Sequence, residues 1–135
     1  LLKPGEETLS TLDAFSVNLF SGEAKFMKAG SPVTFIIRGK DVIKVDFESL
    51  PIGILSNVSF SSRNAKLEDG DWVLMVSDGV TDIGDEWIMD VINSEKYDTA
   101  KDLSRLIVRT AVYMRKEYHD DDITAAVIKI SKNIG

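Results

Sequence analysis

Hydrophobic and polar residues alternate with period two along the first half of the chain, then change to helical spacing in the second. Phe15, Val17 and Leu19 interleave with Ser16 and Asn18, the pattern of a strand with one buried face. Ser21-Gly22-Glu23 supplies a turn, and residues 24–28 read as the returning strand. The apolar run 33–38 leads into a second turn signal at Arg38-Gly39-Lys40-Asp41, beyond which Ile43, Val45 and Phe47 alternate with Lys44 and Asp46. Val58 and Phe60 around Ser59 suggest a further strand. After the turn Glu68-Asp69-Gly70-Asp71, the segment Trp72–Val76 is apolar throughout, as expected of a strand covered on both faces, and stops at Ser77-Asp78-Gly79. Short strands joined by turns predict a meander of hairpins and a largely antiparallel sheet.

Beyond residue 85 the spacing lengthens. Trp87, Ile88, Val91 and Ile92 predict a modest helix. Ala100, Leu103, Leu106, Ile107, Ala111 and Met114 form the apolar stripe of a longer one. Thr99 and Asp102 are spaced as a capping box in which Asp replaces the usual Glu or Gln. Residues 123–130 return to strand character. Strands, two helices and a last strand place the chain in the α+β class, a sheet or sandwich covered by helices. Its 135 residues, 44% of them hydrophobic and 28% charged, suffice for one domain, or a large piece of one, with a real core.

Charge and composition narrow the chemistry. A formal net charge of -6 argues against a nucleic-acid surface, which needs clustered Lys and Arg. The absence of cysteine removes disulfides and thiolate metal sites. The apolar runs are far shorter than the roughly 20 residues of a membrane helix. No signal peptide opens the chain, and a start at Leu1-Leu2-Lys3 without Met reads as a piece of a longer protein. Two acidic spots remain. Asp78 leaves the end of the apolar strand, with Gly79 letting the backbone turn away, and Asp120-Asp121-Asp122 precedes the last strand. Each alone is an ordinary turn or a solvated loop. If the two strands are antiparallel neighbours, however, both carboxylates reach one sheet edge. With a single histidine, His119, such a pair favours a hard cation, Mg²⁺ or Mn²⁺, and metal-assisted hydrolysis. His119 itself reads as an exposed side chain at a helix end, Trp72 and Trp87 as core, and Lys3, Lys25 and Lys28 as surface positions. Ser10, Ser16 and Ser77 have no nearby His to activate them as nucleophiles.

The runs Ser77-Asp78-Gly79-Val80-Thr81-Asp82 and Asp121-Asp122-Ile123-Thr124 resemble the last two metal-binding motifs of metal-dependent (type 2C) protein phosphatases. Ser10-Thr11-Leu12-Asp13, Phe26-Met27-Lys28-Ala29-Gly30-Ser31 and Leu50-Pro51-Ile52-Gly53-Ile54 make the chain similar to the bacterial subgroup typified by stage II sporulation protein E. The resemblance implies an antiparallel β-sandwich flanked by helices, with residues 1–135 as the C-terminal portion of one phosphatase domain. It implies Asp78 and Asp121 as metal ligands, Asp82 and Asp122 as supporting acids, and Gly79 as the turn after the first ligand. The cofactor would be Mn²⁺ or Mg²⁺, binuclear in the complete domain, acting without a phosphoenzyme.

By the same resemblance the substrate is a phosphoserine on an anti-anti-sigma factor-like protein that controls a sporulation sigma factor. The domain would be cytoplasmic in a protein anchored to the membrane elsewhere, with no nucleic acid or membrane contact from this segment. Ser31 departs from the His of many relatives. The family's earlier acidic motif, with its metal-bridging Asp-Gly, and two core helices do not occur in these residues, so negligible activity is expected of the chain by itself. Two alternatives stand beside this reading: a stress-response phosphatase of the same superfamily, and a non-catalytic regulatory module of the same fold.

Overall fold

The first hairpin turns earlier than the alternation predicts. In the computed structural model, which describes residues 10–46, 61–115 and 122–132, strand β1 (Leu12–Val17) ends before Asn18. The Asn18 Oδ1 accepts hydrogen bonds from the Phe20 and Ser21 backbone N–H groups at 2.9 and 3.1 Å, an Asx turn that out-competes the strand ladder. Leu19, expected on the buried face, is therefore 86% exposed. Strand β2 (Glu23–Ala29) returns antiparallel, and β5 (Ser61–Lys66) pairs along its other side to give the sheet β1-β2-β5. The sequence Ser-Ser-Arg-Asn-Ala-Lys of β5 carries no apolar alternation, so only its pairing with β2 makes it a strand. The predicted strand at Val58 and Phe60 and the run 50–54 lie outside the described residues.

These strands belong to one compact unit, Leu1–Ser31 with Phe47–Lys66. Its buried side chains repeat at period two along β2: Ala24, Phe26 and then Lys28. Phe15 and Phe26 are register partners and stack with ring centroids 5.4 Å apart. Lys28, expected at the surface, is instead 1% exposed, and its ammonium meets Asp13, its own cross-strand partner, at 2.9 Å. Counting two residues on from Phe26 would have placed Lys28 on this face. Residue type argued against it, and the paired charge makes the burial tolerable.

The second unit comprises Pro32–Asp46 and Leu67–Gly135. Its four-stranded sheet has the order β4-β3-β6-β7, built from β3 (Thr34–Arg38), β4 (Asp41–Val45), β6 (Trp72–Val76) and β7 (Ala125–Lys129), all neighbours antiparallel. Phe35 and Ile37 of β3 and Leu74 and Val76 of β6 share a core with helices α2 (Glu86–Ser94) and α3 (Ala100–Arg115). Thr34, Ile36 and Val73, pointing to the other face, are also buried, which accounts for the unbroken apolar run of β6. Trp72 and Trp87 are half-buried against this core. Thr99 Oγ1 accepts the Asp102 N–H at 3.1 Å, the threonine half of the predicted capping box. The α3 stripe runs Leu103, Ile107, Ala111 and then Arg115, all buried, whereas Met114 is 41% exposed. Spacing by four residues wins over the more apolar side chain one position earlier.

The turn before β6 is held by charge. Arg38 grips Asp71 with a forked pair, Nε to Oδ1 at 3.0 Å and Nη2 to Oδ2 at 2.8 Å, and Glu68 N–H donates to the same carboxylate at 2.7 Å. Backbone bonds from Gly70 N–H to the Ile130 carbonyl and from Ile130 N–H to the Asp71 carbonyl lock this turn to the end of β7. Burial pushes the Asp71 carboxyl up, but the Arg38 hydrogen bonds and the Glu68 N–H outweigh it and hold the carboxyl below its ordinary value. The Asp71 hydrogen bond raises Arg38 in return.

Asp71→Ala is expected to cost roughly 2–3 kcal/mol in urea unfolding, since it removes the forked partner of Arg38 and the acceptor of the Glu68 N–H. With the folded-state carboxyl depressed, the Asp71 contribution is complete above the ordinary carboxylate pKa of about 3.9 and fades as pH drops through the lower folded value. The unfolding midpoint of the wild type should therefore fall below pH 4 more steeply than that of the variant. Lys28→Met should cost roughly 2–3 kcal/mol by removing the buried ammonium that pairs with Asp13, and adding Asp13→Leu should recover most of the loss, measured by the same unfolding curves.

Candidate metal centre

Strand β6 delivers its last residue to a crossing of three chain segments. Val76 pairs with Ala125 of β7, so the C-terminal end of one strand lies beside the N-terminal end of the other. Ser77 keeps extended backbone angles and extends the ladder by one bond, its N–H donating to the Thr124 carbonyl at 3.0 Å. Its hydroxyl then bridges the two segments: Oγ donates to the Asp122 carbonyl at 3.0 Å and accepts the Thr124 N–H at 2.9 Å. Ser77 is a clamp rather than a nucleophile. The one-turn helix α1 (Asp78–Thr81) begins at once, with Asp78 exposed and Gly79 and Val80 buried.

Gly79 has a steric task. A Cβ built on it would collide with the Asp122 carbonyl oxygen, lie 3.0 Å from that carbonyl's carbon, and stand 3.3 Å from Nη1 of Arg115. Only a residue without a side chain lets α1 pass this close to the segment before β7. Arg115, from the last turn of α3, is 7% exposed at this crossing.

The pairing expected from sequence, an antiparallel β6 and β7 with Asp78 leaving one and the acidic run entering the other, is present. Asp122 and Asp82 are exposed, Asp82 as the residue that closes α1. Asp121, Asp120 and His119 lie outside the described residues. Among the described residues no three acidic or histidine side chains gather closely enough to hold an ion by themselves. The glycine cradle keeps the two acid-bearing segments in backbone contact, and the side chains these segments carry are oxygen donors, the kind a hard divalent ion prefers. Two contributors went unseen in the sequence. Ser77 stood in the motif without its clamping role being visible, and Arg115 was legible only by counting four residues beyond Ala111.

Comparison with known proteins identifies the fold and the family. The family model for stage II sporulation protein E (SpoIIE) matches residues 2–131. The chain is 30% identical over 138 residues to stage II sporulation protein E of Bacillus subtilis, an alignment covering 98% of this chain and 17% of that protein. The solved phosphatase domain of the cell fate determinant SpoIIE from Bacillus subtilis, presoaked with Mn, is similar with a TM-score of 0.78 and 26% identity, over 93% of this chain and 59% of that one. The catalytic domain of the serine threonine protein phosphatase PstP, solved with two manganese ions, shares the fold with a TM-score of 0.71 and 14% identity, over 90% of this chain and 58% of that one. The architecture, antiparallel sheets with helices, is that of the type 2C phosphatase domain, and the chain belongs to the stage II sporulation protein E family.

Proposed function

We propose that residues 1–135 form the C-terminal portion of a metal-dependent protein serine phosphatase domain, with Asp78 and Asp121 as ligands of Mn²⁺ or Mg²⁺. The observation that carries this reading is the backbone crossing of residues 77–79 with residues 122–124, which directs two acidic segments to one end of β6 and β7. Bound there, the ions supply Lewis acidity at the phosphoryl group and a water of lowered pKa. The chain's own part is positional. Ser77 holds the two segments in register, Gly79 permits their approach, and Asp82 and Asp122 add negative charge that favours a cation over bulk water.

The finer reading extends the same chemistry. The site is binuclear in the complete domain, and it hydrolyses a phosphoserine on an anti-anti-sigma factor-like protein, controlling a sporulation sigma factor. The catalytic domain works in the cytoplasm, and the full-length protein is anchored elsewhere. The SpoIIE membership of the chain supports the sporulation reading, and the Mn presoak of the related phosphatase domain supports manganese as the metal. The chain corresponds to 59% of that phosphatase domain.

In the full-length protein, Asp78→Asn and Asp121→Asn should each lower Mn²⁺-dependent turnover of a phosphoserine protein by at least about a hundredfold, the loss of a few kcal/mol of charge stabilisation. The melting temperature without metal should hold or rise, because one repelling carboxylate is gone. Wild-type rates in either variant would remove the assignment and favour a non-catalytic module. Gly79→Ala should destabilise by roughly 1–3 kcal/mol through its clash with the Asp122 carbonyl and reduce turnover as well. The 135-residue chain alone should show no manganese-dependent release of phosphate.

A further inference from the structure

The geometry points to Arg115 as a positioning residue of the metal centre, a buried guanidinium that holds the α1 turn and the segment before β7 at the separation a divalent ion requires. This inference rests on the phosphatase reading above. Three observations carry it. Arg115 continues the buried stripe of α3 after Leu103, Ile107 and Ala111, so the helix core fixes its starting point. Its side chain is 7% exposed, which brings a permanent charge into a place where charge is costly unless it is used. Finally, its Nη1 lies 3.3 Å from the point where a Gly79 side chain would begin, and that same point is filled by the Asp122 carbonyl.

Arg115 therefore meets the crossing itself, from a third element, where the other two are the segments that carry the acidic residues. Those segments carry the exposed carboxylates Asp78 and Asp82 on one side and Asp122 on the other, with Asp120 and Asp121 adjoining Asp122 in the sequence. Like charges so arranged repel and would spread the segments whenever no cation is bound. A fixed guanidinium behind the crossing opposes that spreading. Its planar fork stays charged under burial and can engage backbone and carboxylate oxygens together, which a lysine ammonium does less well. The ligands are then held close to their binding arrangement before the ion arrives, and less of the binding free energy goes into assembling them. Arg115 touches neither substrate nor reacting atoms in this role. It acts through the two segments it holds.

The test measures Mn²⁺ binding by calorimetry in the full-length protein, comparing wild type, Arg115→Met, Arg115→Lys and Asp78→Asn. Arg115→Met should raise the Mn²⁺ dissociation constant by roughly 10- to 100-fold, the usual effect of removing a group that orients metal ligands. The KM for a phosphoserine protein at saturating Mn²⁺ should stay at its wild-type value, since the substrate contacts are untouched. Arg115→Lys keeps the charge but not the fork, and should raise the Mn²⁺ constant by about threefold or more with little change in melting temperature. A lowered melting temperature in Arg115→Met with unchanged Mn²⁺ affinity would reduce the residue to core packing and overturn the inference. If the Met variant does not fold, Lys decides: wild-type Mn²⁺ affinity there overturns it too. Asp78→Asn separates the two levels. If that variant binds Mn²⁺ as tightly as wild type, the metal-site reading itself fails; if it does not and the Arg115 variants bind normally, only the role of Arg115 fails.

Discussion

The antiparallel seam between β6 and β7 governs what this molecule can do. Its last rungs are not ordinary ladder bonds: the Ser77 N–H reaches the Thr124 carbonyl, and the Ser77 hydroxyl both donates to Asp122 and accepts from Thr124. A hydroxyl that serves as donor and acceptor at a strand end satisfies two backbone groups that would otherwise face each other unpaired where the strands diverge. Because the seam stays closed through residue 77, the turn into α1 begins against the segment before β7, and Gly79 is forced into contact with the Asp122 backbone. The acidic residues on either side inherit their neighbourhood from these few bonds.

Charge buried by partnership is the second theme. Lys28 with Asp13, and Arg38 with Asp71, are pairs in which at least one member is almost wholly shielded from water. Pairs of this kind add little net stability over an apolar replacement, but they penalise any arrangement that separates the partners. Arg38 and Asp71 thus specify which turn meets which strand end, a fixed reference for the β6–β7 seam at its opposite end through the Gly70 and Ile130 bonds. The apolar core of Phe35, Ile37, Leu74, Val76, Leu103 and Ile107 supplies the non-directional part of the stabilisation, with each side chain worth roughly 1.5–3 kcal/mol on burial. Orientation comes from the charges and volume from the core.

Membership of the SpoIIE family gives these features a common purpose. The seam, the glycine cradle and the acidic segments are the parts of a type 2C phosphatase fold that this stretch of chain contributes, and the chain spans only 17% of the Bacillus subtilis relative. Strand β6 carries buried side chains on both faces, and Arg115 continues the buried stripe of α3.

By itself the sequence determined whatever depends on local period and residue chemistry. The strand Trp72–Val76, the helix positions around Ile88 and along Leu103 to Ala111, the Thr99 cap and the oxygen-donor character of the acidic motifs were all legible, because burial and capping leave marks at fixed spacing. Only the tertiary structure decided the rest. Strand β5 is polar and exists through pairing with β2; Leu19 leaves its strand because Asn18 captures two N–H groups; Lys28 and Arg115 are buried although their residue types favour water. In each case a partner distant in sequence, or a competing side-chain hydrogen bond, supplies a free energy larger than the local preference, and no window of neighbouring residues contains it. The meeting of residues 77–79 with 122–124 is of this kind, since more than forty residues separate segments that share three hydrogen bonds.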